Sequence, residues 1–221
     1  ATNLMKLESL QKRRVLPALL LLGLLATPLS ARAWQEGPHL ANLFEQAGLR
    51  GTFVLYDAQS GQLIGHDRRR ARTRFIPAST FKLPNTLIGL NAGAVRDVDE
   101  VFPYDGQARF FKAWEAPMGL REAIRVSNVP VYQELARRIG RERMRSDLKL
   151  LGYGNCRVGS QIDEFWLEGP LKISAIEQCR FLEGLARGVL PFAAQHQAAV
   201  REITLLESGP GWELHAKTGT V

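Results

Sequence analysis

Cysteine and histidine are scarce: two and four, respectively, in 221 residues. With no Cys-x-x-Cys and no clustered His, the sequence argues against a zinc site. An oxidising compartment would permit a bridge between Cys156 and Cys179, but sequence does not place their Cα atoms within bonding range. They are read as free thiols. His39, His66, His196 and His215 show no pairing with Ser and Asp of the kind a hydrolase triad needs, so they are read as surface or structural residues. No internal repeat and no low-complexity linker occurs. The one long apolar run, residues 15–25, is interrupted by Pro17 and Gly23 and is too short to span a bilayer comfortably.

Hydrophobic residues at 45% and charged residues at 23% are ordinary for a globular chain long enough to bury a core. The formal charge of +7 is concentrated at one end. Residues 1–33 hold Lys6, Lys12, Arg13, Arg14 and Arg32 against Glu8 alone. The rest is close to balance and needs no nucleic-acid partner. The run Arg68–Arg70 with Arg72 and Arg74 is read as a solvated loop or strand edge. Lys12, Arg13 and Arg14, the apolar run, and Ala31-Arg32-Ala33 form the three parts of a secretory signal. The expectation is a leader over 1–33 and an exported, periplasmic domain over 34–221, free of the membrane once cleaved.

Apolar spacing and turn signals predict a short helix over 40–47 and a hairpin from strands 52–56 and 62–66. A buried helix begins near Phe81, with Pro84 tightening or kinking its first turn. Residues 120–151 read as helical with breaks at Asn128-Val129-Pro130 and Gly140, and 153–166 as loop. Ser174 and Glu177 make a capping box for a helix to about 186. A helix over 194–207 and a strand over 212–216 follow. Strands at both ends with helices between predict an α+β fold in which the N-terminal hairpin pairs with the C-terminal strands.

Ser-x-x-Lys sets a hydroxyl and an amine one helical turn apart on one face. A serine hydroxyl needs such a neighbour, being a poor nucleophile at neutral pH. The spacing recurs at Ser9/Lys12, Ser79/Lys82 and Ser146/Lys149, but only Ser79/Lys82 opens an apolar helix, between Pro77, Phe81 and Leu83. Ser127-Asn128-Val129 breaks a helical region, where a hydroxyl can project into a cleft. Lys217-Thr218-Gly219 follows a strand, where a cation and a hydroxyl can hold a carboxylate and glycine allows close approach.

In order, Ser79-Thr80-Phe81-Lys82, Ser127-x-Val129, Tyr153-Gly154-Asn155, Phe165-Trp166-Leu167 and Lys217-Thr218-Gly219 resemble the motif set of class D serine β-lactamases, the oxacillinases. Pro130-Val131-Tyr132-Gln133 and the segment from Gly169 to Ser174 extend the likeness over about residues 40–219. The resemblance implies the serine β-lactamase and penicillin-binding transpeptidase fold: an antiparallel sheet flanked by helices, with a helical lobe. It implies a small-molecule β-lactam substrate, Ser79 as nucleophile, Lys82 as general base and Ser127 as proton relay. The Ser79 and Thr220 N–H groups would form the oxyanion hole, while Lys217 and Thr218, with Gly219, would hold the substrate carboxylate. Lys82 would be carbamylated by carbon dioxide or bicarbonate in a pocket of Phe81, Val129, Trp166 and Leu167; Trp166 would donate to the carbamate, and Val129 and Leu167 would gate the deacylating water. No metal and no other cofactor is implied.

The sequence departs from that pattern by stopping two residues after Gly219, where the family resemblance implies further strands and a C-terminal helix. The expectation is a C-terminally incomplete domain, in which unpaired strand edges would disfavour folding. Two other readings share these motifs: a β-lactam sensor that is acylated without turnover, and an inactive shortened product.

Overall fold

The computed structural model describes residues 34–220; the leader expected over 1–33, with its expected cleavage site at 31–33, lies outside the described residues. Trp34–Glu36 (β1) pairs in parallel with Leu63–His66 (β3), which pairs antiparallel with Phe53–Tyr56 (β2), in the order β1-β3-β2. The hairpin was legible in the alternation of its residues. Three-residue β1 was not, because so short a strand shows no periodicity and is fixed by pairing alone. Val54, Tyr56 and Leu63 face inward and pack with Trp34, Ala71 and Ile176.

Helix α1 spans Pro38–Gln46. The basic run, read as a loop or strand edge, forms the short helix α2, Arg68–Arg72. Asp67 explains the difference. Its carboxylate accepts from the Arg70 N–H at 2.9 Å and caps the turn, while Ala71 is buried and Arg68, Arg69 and Arg72 stay in water.

A 3₁₀ turn over Ala78–Phe81 leads directly into α3, Lys82–Asn91. Pro84 sits in the first turn of α3, where a missing N–H costs little. Nine residues of α3, Lys82 to Leu90, are buried, so this helix runs through the core. Around it stand α4 (Leu120–Arg125), α5 (Val129–Ile139) and α6 (Arg141–Leu151), with the breaks where the sequence placed them. Asn128 caps α5, its Oδ1 accepting from the Val131 N–H at 3.1 Å. Helix α7, Ala175–Arg187, carries the expected capping box: Ser174 Oγ accepts from the Glu177 N–H, and Glu177 Oε2 from the Ser174 N–H.

Helix α8 spans Ala194–Thr204 and stops short of residue 207. Thr204 Oγ1 bonds back to the carbonyls of Val200 and Arg201, at 3.0 and 2.8 Å, competing with helix continuation. Leu205–Gly209 then turns extended as β4 and pairs with Trp212–His215, β5.

The expected joining of the two hairpins into one antiparallel sheet is not made among the described residues. They form a three-stranded sheet that includes a parallel pair, and a separate two-stranded sheet. Helix α7 links them instead. Tyr56 Oη donates to Glu183 at 2.9 Å, and Gln178 and Leu182 face His215, Ala216 and Lys217 across a cavity of about 190 Å³. Phe53 and Leu55 of β2, and Leu205, Trp212 and Leu214 of the C-terminal hairpin, keep exposed apolar surface. No helix among the described residues is long and apolar enough to cross a membrane.

Candidate active site

The turn before α3 is backbone-strained. Ala78 has φ +48°, a left-handed conformation that costs an alanine roughly 1–2 kcal/mol. It is held by two backbone hydrogen bonds, Ala78 N–H to Trp166 O at 3.0 Å and Thr80 N–H to Pro77 O at 3.2 Å. The strain sets Ser79 at the start of the helix with its hydroxyl at the rim of a cavity of about 610 Å³. Nothing in the sequence signalled it, since Ala78 carries no turn preference.

One turn on, Lys82 is completely buried, and its Nζ donates to Ser79 Oγ at 2.8 Å. A buried ammonium normally has a carboxylate partner; among the described residues Lys82 has no such ion pair. Burial, with a smaller contribution from the positive Lys217, lowers its pKa from the ordinary 10.5 to about 7. Near neutral pH a substantial share of the amine is therefore neutral, against about one molecule in a thousand for an exposed lysine.

The residue next to Lys82 belongs to an aromatic cluster. Phe81 stacks on Trp166 with centroids 5.4 Å apart and meets Phe165 and Tyr153 edge-on at 5.1 and 5.8 Å. The ring of Tyr132 lies 5.2 Å from Lys82 Nζ. Phe81 and Trp166 are wholly buried, yet the indole Nε1–H of Trp166 has no hydrogen-bond partner among the described residues. A buried donor left unpaired costs about 1–3 kcal/mol and marks a place where an acceptor belongs.

Ser127 joins α4 to α5 with φ +54°, a second strained non-glycine residue. It lines the Ser79 cavity together with Val129, Thr218 and Thr220. Strain of this kind clusters at functional sites. Leu167 packs against the main core at the end of the short turn over Glu164–Leu167. Lys217 faces the smaller cavity behind the strand, with Thr80 and His215, and its Nζ donates to Thr218 O at 2.9 Å. Burial lowers the pKa of Lys217 as well.

Gly219 is required by packing. A Cβ there would lie 2.9 Å from Pro77 O and 3.1 Å from Thr80 Cγ2, so the strand end abuts the nucleophile turn. The close approach that the sequence reading assigned to a ligand is made here by the protein's own backbone.

The opposite wall of the cavity was missed. Phe110, Phe111 and Trp114 line it, with edge-on contacts at 4.7 and 5.0 Å. Phe110 is 87% exposed at the rim. Three aromatic residues within five positions, in a segment with no periodic pattern, were the only signal. Cys156 and Cys179 are free thiols, as read, and burial raises the pKa of both. Among the described residues no three His, Cys, Asp or Glu side chains converge as a metal would need.

A serine hydroxyl against a buried amine of lowered pKa, opening on an apolar-walled cavity, has the arrangement of a nucleophile and its base. Residues 51–221 match the penicillin-binding protein transpeptidase domain. The chain is 46% identical over 176 residues to β-lactamase OXA-5 of Pseudomonas aeruginosa, covering 80% of this chain and 66% of that protein. It is 38% identical over 200 residues to β-lactamase OXA-48 of Klebsiella pneumoniae, covering 90% and 76%. Among solved structures, FUS-1 (OXA-85), a class D β-lactamase from Fusobacterium nucleatum subsp. polymorphum, matches with TM-score 0.82 and 48% identity over 84% of this chain and 77% of that one. A class D β-lactamase from Bacillus subtilis matches with TM-score 0.78 and 42% identity, over 82% and 76%. The chain spans about two thirds of the length of several of the curated relatives it matches. The fold, the ordered motifs and these likenesses agree that the chain belongs to the class D β-lactamases.

Proposed function

We propose that the protein hydrolyses β-lactams through an acyl-enzyme on Ser79. The observation that carries this is the fully buried, carboxylate-free Lys82, with its Nζ 2.8 Å from Ser79 Oγ and its pKa lowered to about 7. Neutral Lys82 takes the Ser79 proton as Oγ attacks the lactam carbonyl. The N–H groups of Ser79 and Thr220 stabilise charge on the carbonyl oxygen. Ser127 passes a proton to the departing nitrogen. The positive end at Lys217 and Thr218 orients the substrate carboxylate, and the wall of Phe110, Phe111 and Trp114 takes the apolar part of the ligand.

Carbon dioxide fits the same site as a modification of Lys82. The neutral amine can add it with loss of a proton, giving a carbamate that would act as general base toward Ser79 and, after acylation, toward water. The unpartnered Trp166 Nε1–H is the donor that would hold it; Phe81 and Val129 keep the amine dry. Leu167 would shape the pocket from the core side. The basic, apolar and small-residue pattern at 12–33 supports export to the periplasm.

Two measurements test the reading. A fluorescent penicillin should label Ser79, and a chromogenic cephalosporin should be turned over repeatedly. A single stoichiometric burst in bicarbonate-supplemented buffer would turn the reading to a β-lactam sensor, and no labelling at all would reject it. Carbon-13 NMR in labelled bicarbonate should show a carbamate signal that Trp166→Phe weakens, with activity becoming bicarbonate-dependent. Activity indifferent to both would reject the carbamate.

A further inference from the structure

A second set of hydrogen bonds reaches the nucleophile turn from the side opposite Lys82. Gln178, in the second turn of α7, donates from Nε2 to Thr80 Oγ1 at 2.9 Å. Its Oε1 accepts from Tyr153 Oη at 3.3 Å. Thr80 Oγ1 gives its own proton to Pro77 O at 2.6 Å. The directions are self-consistent: the threonine hydroxyl has one proton and spends it on Pro77, so it can only accept from Gln178. The tyrosine must then donate, and burial, which raises its pKa, keeps it protonated.

Thr80 is therefore held on two sides. Gln178 grips its hydroxyl, and its methyl group stands against Gly219 at the strand end. It directly follows Ser79, in a turn whose Ala78 is strained. A strained turn persists only when its surroundings over-determine it. Trp166 O supplies one restraint through the Ala78 N–H, and the Gln178 bond supplies another.

We infer that Gln178 is a positioning residue: it holds Thr80, and with it the Ser79 N–H, at the spacing from Thr220 that stabilises a substrate oxyanion, while Tyr153 orients the Gln178 amide. This gives the Tyr153-Gly154-Asn155 motif a task without making Tyr153 a catalytic residue. It rests on the reading of Ser79 as the acylated nucleophile. A glutamate at 178 would fail, because its charged acceptor would face a hydroxyl whose proton is already committed to Pro77.

The test compares Gln178→Leu, Thr80→Val and the double variant in the full chain. Acylation by a fluorescent penicillin is resolved into a rate constant and a non-covalent Kd, alongside thermal melting and amide exchange at Ala78 and Thr80. Each single variant should slow acylation by about 10-fold, on the scale of a displaced oxyanion donor, with Kd changed less than about twofold. The double variant should be no slower than either single one, since both break the same link. Exchange of the Thr80 amide should quicken about 10-fold. Unchanged acylation, a loss confined to Kd, or additive losses would overturn the inference. If the unaltered chain is not labelled, the proposed function falls first; amide exchange then decides alone, and undiminished protection in Gln178→Leu overturns the positioning role.

Discussion

Lys82 and Lys217 are the same side chain in two surroundings, and the site uses the contrast. Lys82 lies wholly inside the core, with the Tyr132 ring 5.2 Å from its Nζ, and burial brings its pKa to about 7. Lys217 stands at the end of an exposed strand, half-covered, with its Nζ on the Thr218 carbonyl. A base must give up its charge, so it is built where water is absent. Under the proposed function, a group that attracts a carboxylate keeps its charge, and Lys217, though burial lowers its pKa too, is covered less than Lys82.

The largest expected effect breaks this contrast outright. Lys82→Ala should slow acylation of Ser79 by at least about 10³-fold, the scale of removing an activating base. Lys217→Ala should cost about 10-fold, mostly in Kd. Rapid-quench labelling with a fluorescent penicillin measures both, and equal losses would show that the two amines do not divide the work as their surroundings suggest.

The second effect sharpens it through pH. The folded-state pKa of Lys82, about 7, lies below the 10.5 of a solvated lysine. Between those values the unfolded chain binds a proton that the folded chain does not, so this group makes stability rise with pH from about 7 to 10. Below 7 both states are protonated and the penalty of burying an ammonium is complete. Lys82→Met should therefore be more stable than the parent at pH 6 by roughly 5 kcal/mol, with the gap closing to about 1 kcal/mol by pH 10. Urea melts at the two pH values give the comparison; a gap that does not change with pH would mean that Lys82 is not the group titrating.

A smaller loss should follow from Gly219→Ala. The added methyl meets Pro77 O at 2.9 Å, and neither backbone yields easily. Acylation should slow by about 10-fold through displacement of Thr220 from the nucleophile turn, while melting is little changed. A variant as fast as the parent would show that the two segments need not touch. The smallest effect belongs to a part remote from both lysines. Ser174→Ala removes the cap of α7 and should cost about 1 kcal/mol in urea melts, leaving the acylation rate unaltered. A change in that rate would show that the cap also fixes Gln178.

Most helices were legible because each carries a local signal: apolar spacing along α3, the Asn128 break before α5, Ser174 with Glu177 at α7. Besides β1 and the strain at Ala78, three features were not. Helix α2 depends on Asp67 capping a run that reads as solvated charge. Strand β4 depends on a partner in β5, which overrides the helical pattern entering it. The aromatic wall of Phe110, Phe111 and Trp114 faces Ser79 only because the chain between α3 and α4 folds back over the cavity.

By itself the sequence determined the order and identity of the motifs, and with them the family, because hydroxyl, amine and glycine at fixed spacing are local properties. Tertiary structure alone decided that burial pulls the pKa of Lys82 down to about 7, and that the buried Trp166 N–H is left without a partner among the described residues. The reason is physical. Protonation and hydrogen-bond satisfaction depend on what surrounds a group from every direction, and those neighbours come from parts of the chain far apart in sequence.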